Sequence, residues 1–200
     1  MAVVPPEGQY AISASSDGTL IKWDLDSGEA VGPLGRHTKK VYTVAVTPDG
    51  RYAISGSSDR TIRKWDLKDE REVHAWSGHE GGIRFVAMMP DRQSFISASS
   101  DKTLKVWNLD GDSGGSPLGR HADWVKCVAV AGNGKWAVSA SKDKTLKVWD
   151  LRSGEIIASF HADEELHACA IAPDGETIVA AGACGRVHFL RLGGIDSSVG

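Results

Sequence analysis

No apolar run in this chain approaches the ~20 residues that a membrane helix needs. The N-terminus also lacks the basic n-region and apolar h-region of a secretory signal. Cysteine is scarce. Cys127, Cys169 and Cys184 show no CxxC spacing and cannot all pair with one another, which points to a reducing compartment. An excess of one charge is missing too: a formal net charge of -3 argues against a general nucleic-acid binder but leaves room for a local basic patch. No His/Cys/Asp cluster has metal-ligand spacing. The glycines fall at strand turns, without the strand-to-helix context of a phosphate loop, so neither a metal nor a cofactor is expected. Helical periodicity is absent. Together these absences predict a soluble, cytoplasmic, all-β chain with no membrane role and no nucleic-acid role.

What the sequence does contain is repetition. SASSDGTLIKWD at 13, SGSSDRTIRKWD at 55, SASSDKTLKVWN at 97 and SASKDKTLKVWD at 139 place Trp23, Trp65, Trp107 and Trp149 at a constant interval of 42. A fixed period near 40 marks a stacked or radial repeat. Within a unit the local period is two. In the second unit, runs at 41–46, 52–55, 61–65 and 72–76 read as strands, with Pro48-Asp49-Gly50, Ser58-Asp59-Arg60 and Asp66-Leu67-Lys68-Asp69 as the turns. Each unit is thus a four-stranded antiparallel meander, too small to bury both faces alone. Radial packing covers those faces and leaves only short edges.

Offsets from each Trp are fixed: Asp six before, Ser ten before and, in three units, His 28 before. The sets are His37, Ser55, Asp59 and Trp65; His79, Ser97, Asp101 and Trp107; His121, Ser139, Asp143 and Trp149. Ser, His and Asp together invite a hydrolase reading, but a nucleophile is needed once, not three times, and no GxSxG elbow occurs. No catalytic residue is assigned. His74 and His188, at period-two strand positions, read as packing or surface residues.

The pattern of Gly-His, strand, Pro-Asp-Gly and Trp-Asp is similar to the WD-repeat (WD40) β-propeller family over residues 2 to about 192. The resemblance implies that each quartet is a structural tetrad, a buried hydrogen-bond chain from indole to hydroxyl to imidazole to carboxylate. It divides a propeller over 1–192 into blades at about 2–35, 36–77, 78–119, 120–160 and 161–192, with a polar tail at 193–200. The tetrad fades at both ends. Ser13, Asp17 and Trp23 have no His, and the last unit aligns Ala180, Cys184 and Leu190, with His161 left over. That last blade is expected to be held by apolar packing of Ile178, Val179, Val187 and Phe189. It lacks its outer strand, and Val3-Val4-Pro5-Pro6-Glu7-Gly8 aligns with the end of a first strand, so the chain reads as part of a larger propeller. Self-association through the incomplete ring and tight closure of five blades are the other outcomes to consider.

The resemblance also implies where a partner binds. In this family top-rim contacts come three and five residues after the His and from the residue before the tetrad Asp. Carried over, these are Lys40, Tyr42 and Ser58; Gly82, Arg84 and Ser100; Trp124, Lys126 and Lys142; and, across an apparent one-residue insertion, Glu165, His167 and Ala183. Cationic and aromatic groups on one rim suit a protein or peptide that is acidic or phosphorylated. The function expected is a non-catalytic interaction or sensor module that binds a partner on that rim. The alternatives are a passive scaffold using blade sides and edges and, last, a hydrolase. The uniform repeats and the run GRVHFLRL at 185 to 192 resemble the C-terminal sensor propellers of bacterial NACHT/NB-ARC-type signalling proteins.

Overall fold

The computed structural model describes residues 1–6, 8–111 and 114–193. Beyond Gly193, the expected polar tail lies outside the described residues. Nineteen strands form five antiparallel sheets in which strands follow chain order. The first sheet holds β1 (Ala2–Val3), β2 (Tyr10–Ala14), β3 (Thr19–Asp24) and β4 (Ala30–Arg36). The second holds β5 (Val41–Val46), β6 (Tyr52–Ser57), β7 (Ile62–Asp66) and β8 (Arg71–Trp76). In the third are β9 (Ile83–Met88), β10 (Ser94–Ser99), β11 (Thr103–Asn108) and β12 (Ser116–Arg120). The fourth comprises β13 (Val125–Val130), β14 (Trp136–Ser141), β15 (Thr145–Asp150) and β16 (Ile156–His161). Only three strands make the fifth: β17 (Leu166–Ile171), β18 (Thr177–Gly182) and β19 (Val187–Arg191). No helix occurs among the described residues. This is the all-β, blade-by-blade architecture that the repeat demands.

One sheet cannot bury two faces, and the structure solves this with four apolar layers, one between each pair of successive sheets. Ile12, Leu20, Ala53 and Trp65 fill the first layer, and Ile54, Ile83, Phe95 and Trp107 the second. Ile96, Leu104, Ala137 and Trp149 fill the third, and Val138, Leu146, Leu166 and Ile178 the fourth. Burial of such side chains contributes about 1.5–3 kcal/mol each before entropy is charged. The layers use different volumes. A Cβ on Gly35 would overlap the Trp65 ring, and one on Gly119 the Trp149 ring; the missing side chain is what lets each indole seat against the preceding sheet. At the second–third junction Trp76 takes that place instead, edge-on to Phe95 at 5.1 Å, which in turn stacks on Trp107 at 6.1 Å. At the fourth–fifth junction Phe160 pairs in register where Gly119 does, and Leu190 stands where a Trp would. A cavity of about 150 Å³ remains there, lined by Leu146, Val148, Ala158, Phe160, Ile178 and Leu190 among others.

The first strands β5, β9, β13 and β17 pack on one another in succession, and no comparable contact joins the fifth sheet to the first among the described residues. The blades form an arc, not a closed ring. The expected packing of the last blade needs correction. Ile178 is buried, but Val187 and Phe189 are 52% and 75% exposed, because they face away from the fourth sheet where no further sheet lies.

Candidate functional site

Each complete repeat ties its third strand to its second through one serine. The Trp65 Nε1–H donates to Ser55 Oγ at 2.8 Å, and that hydroxyl meets His37 Nε2 at 2.7 Å. His37 Nδ1 lies 3.0 Å from Asp59 Oδ2. Trp107, Ser97, His79 and Asp101 form the same chain at 2.7, 2.7 and 2.7 Å. Trp149, Ser139, His121 and Asp143 do so at 2.7, 2.7 and 3.0 Å. An indole can only donate, so the serine oxygen accepts from it and its O–H donates to Nε2. This fixes the Nδ1–H tautomer pointing at the carboxylate. All three serines are fully buried, with donor and acceptor both engaged.

The carboxylates finish the chain. Asp59 Oδ2 also accepts the Thr38 N–H, and Oδ1 the N–H and hydroxyl of Thr61. Asp101 and Asp143 repeat this with Glu80 and Thr103, and with Ala122 and Thr145. The residue after each Asp (Arg60, Lys102 or Lys144) sits at positive φ, between 67° and 74°, completing a tight Asp-led turn. Burial pushes the three carboxyls upward, yet the hydrogen bonds outweigh it and hold all three well below the ordinary range. Burial also dominates at His121, lowering it to about 4 despite the pull of Asp143, and lowers His37 in the same way. The imidazoles of His37 and His121 are neutral links.

The outer repeats depart from this. In the first sheet Trp23 still donates to Ser13 at 2.8 Å, without a histidine. In the fifth, Ala162 donates its N–H to Lys144 O as His121 does to Lys102 O, so an alanine occupies the histidine position and His161 lies on β16. No residue is inserted there. Instead the path from Trp149 to Ala162 is one residue shorter than that from Trp107 to His121, which corrects the expected insertion. Where the middle sheets have Ser57, Ser99 and Ser141, whose hydroxyls accept the next aspartate N–H, the fifth has Gly182. The buried Glu164 side chain fills that space and accepts the Cys184 N–H. Sequence reading missed this carboxylate. It looks like one of three exposed acids in a row, and its partner is 20 residues away. His74 rests against Trp76 and His188 against Phe160, with no ligand-like grouping; no cluster able to hold a metal occurs among the described residues. All three cysteines are free thiols.

The rim residues are brought together by a backbone device. Pairing between the first two strands slips once in each of the last four sheets. Val41 and Thr43, Ile83 and Phe85, Val125 and Cys127, and Leu166 and Ala168 have partners, and the residue between them has none. The unpaired residues are Tyr42, Arg84, Lys126 and His167. Such a bulge re-aims a side chain. A flanking bond fixes the neighbours: Ser58, Ser100, Lys142 and Ala183 donate their N–H groups to the carbonyls of Lys40, Gly82, Trp124 and Glu165. Arg84 reaches across its neighbours, its guanidinium carbon 4.3 Å from the Tyr42 ring centre and 4.6 Å from that of Trp124. Lys126 and Lys142 lie over the same indole at 5.1 and 5.4 Å. Glu165 faces Lys142 and His167, each at 3.6 Å. Lys40 is exposed, and no contact joins its side chain to this cluster among the described residues.

Comparison with known proteins adds one match. A family model described as WD domain, G-beta repeat fits residues 1–24, 28–66, 70–108 and 116–150, stopping short of the unit that has lost its Trp, Ser and Asp. No curated protein matches the chain.

Proposed function

The chain belongs to the WD40-repeat family, and from that premise we propose that it captures a protein partner on the rim where Tyr42, Arg84, Trp124, Lys126 and Lys142 meet. WD40 repeats build protein-interaction modules, and their propellers are generally non-catalytic. The observation that carries the finer reading is the position of Arg84 between aromatic rings of the two neighbouring sheets. Residues far apart in sequence thereby form one surface rich in groups that dominate interfaces. The partner is a protein or peptide with acidic or phosphorylated side chains. Binding across three sheets gives a sensor within a larger signalling protein a way to shift the state of an attached domain; the run GRVHFLRL supports that setting, and the three free thiols support a cytoplasmic one. Sealed serine hydroxyls support a non-catalytic role, with the tetrads acting as structural ties.

A second reading has its own observation. Phe189 and Val187 lie bare on the outer face of the fifth sheet, where a scaffold would hold its neighbour or a second copy would pack. Partner recovery from cell extract with wild-type chain, with Arg84, Trp124, Lys126 and Lys142 all changed to Ala, and with Phe189→Asp separates the two. The rim reading expects loss with the first variant alone; loss with Phe189→Asp alone favours the scaffold. Labelling of Ser55, Ser97 or Ser139 by a fluorophosphonate would overturn the non-catalytic assignment.

A further inference from the structure

We infer that the Arg84–Trp124–Lys126–Lys142 cluster is a site for the phosphate of a phosphorylated side chain, and that Glu165 is the internal carboxylate that such a ligand displaces from Lys142. The inference rests on the rim reading and narrows it. Arg84 is flanked by Tyr42 from the sheet before and Trp124 from the sheet after, and its Nε donates to Ser100 Oγ at 2.6 Å. Its two Nη groups have no partner among the described residues, so the exposed end of the guanidinium is a fork fixed in direction. A fork of this kind takes two oxygens of one oxyanion side by side.

Two more cations converge on the same indole. The Lys126 ammonium makes no hydrogen bond or ion pair among the described residues. Burial lowers its proton affinity below the ordinary lysine value, and the Arg84 charge adds to the effect. Two carboxylates are near. Asp123 accepts the Trp124 N–H at 2.8 Å, and Glu165 is shared between Lys142 and His167 at 3.6 Å.

Glu165 competes with any incoming acid for Lys142. A peptide carboxylate arriving at Lys142 displaces another carboxylate of the same charge, and a half-exposed pair of this kind is worth little either way. A phosphate monoester carries a charge of about −1.5 to −2 and three acceptor oxygens. It can fill the Arg84 fork with two oxygens and still offer a third oxygen and a second charge to a neighbouring ammonium group, which a carboxylate cannot. A nucleic-acid phosphate is a diester with one charge and two free oxygens, and it fits less well.

The test uses the purified chain and immobilised degenerate peptide libraries that differ only at one fixed central position: phosphothreonine, glutamate or threonine. A fluorescent single-stranded oligonucleotide is measured alongside. The phosphothreonine library should be retained about tenfold better than the glutamate one. Arg84→Lys, which keeps the charge but loses the fork, should erase most of that preference. Glu165→Gln should strengthen retention of both charged libraries and of the phosphothreonine library more, widening the gap, because a fixed carboxylate repels a dianion more than a monoanion. Circular dichroism checks that each variant is folded. Equal retention of glutamate and phosphothreonine would overturn the phosphate assignment while leaving the rim reading intact. Retention that ignores both Arg84→Lys and the four-alanine variant would overturn the rim reading as well. An oligonucleotide bound more tightly than any peptide would reassign the site, and no retention at all would refute this inference, with the partner-recovery experiment deciding the rim reading separately. If Glu165→Gln leaves retention of both charged libraries unchanged, Glu165 does not compete for the site.

Discussion

The third and fourth sheets meet differently from the fourth and fifth, although one repeat builds both junctions. In the first case a Trp is riveted by Ser139 and lodged against Gly119 and Ala137. In the second, Leu190, Phe160 and Ile178 take those three places and the rivet is gone. The exchange moves the large side chain from one sheet to the other. It leaves a cavity of about 150 Å³, so apolar filling replaces the polar tie without matching its fit. A repeat can give up its Trp only if the facing Gly and Ala change with it, since interiors tolerate neither voids nor overlap.

The largest effect should come from forcing one junction to imitate half of the other. Gly119→Phe places a ring where Trp149 already lies, and urea unfolding should show a loss of ~3 kcal/mol. An unchanged midpoint would mean that the two positions are not coupled. A smaller effect follows from pH. His121 is lowered to about 4 from an ordinary 6.5, so between those values the unfolded chain binds a proton that the folded chain refuses. Stability is therefore full above pH 6.5 and falls as pH drops toward 4. His37 adds to this in the same direction, whereas the fifth sheet has Ala162 in the histidine position and lacks this link. Urea midpoints recorded from pH 7.5 to 4.5 check it, and His121→Gln should flatten part of the slope. The smallest expected effect sharpens the contrast from the other side. Ala158→Leu extends into the cavity and should raise stability by ~0.5–1 kcal/mol in the same assay; a loss would show that the space is needed as it is.

Much of this was readable from spacing. The offsets from each Trp marked the four positions, and the resemblance to WD repeats implied that Ser, His and Asp join in one hydrogen-bonded chain; they do, because the four residues occupy fixed positions on two paired strands and a turn. Rim positions could be carried from sheet to sheet since the same backbone bond, such as Ser58 N–H to Lys40 O, recurs in each. Four things stayed hidden. A bulge adds one residue to a period-two strand, and the run around Tyr42 reads the same with or without it. The Glu164 substitution depends on Gly182, and neither residue is unusual alone. Val187 and Phe189 alternate as core residues do, but alternation does not say whether a neighbour lies on that side. The exclusion of Lys40 from the cluster was equally invisible, since its sequence position matches that of Trp124.

The slipped pairing at Tyr42, Arg84, Lys126 and His167 separates two jobs that most strand residues perform at once. A side chain there has no opposite number across the ladder, so it can be exchanged without asking the frame to readjust. The period of 42 thus sets out evenly placed sockets whose contents are free to vary, and a new recognition surface could be written with four letters while every layer beneath it stays as it is.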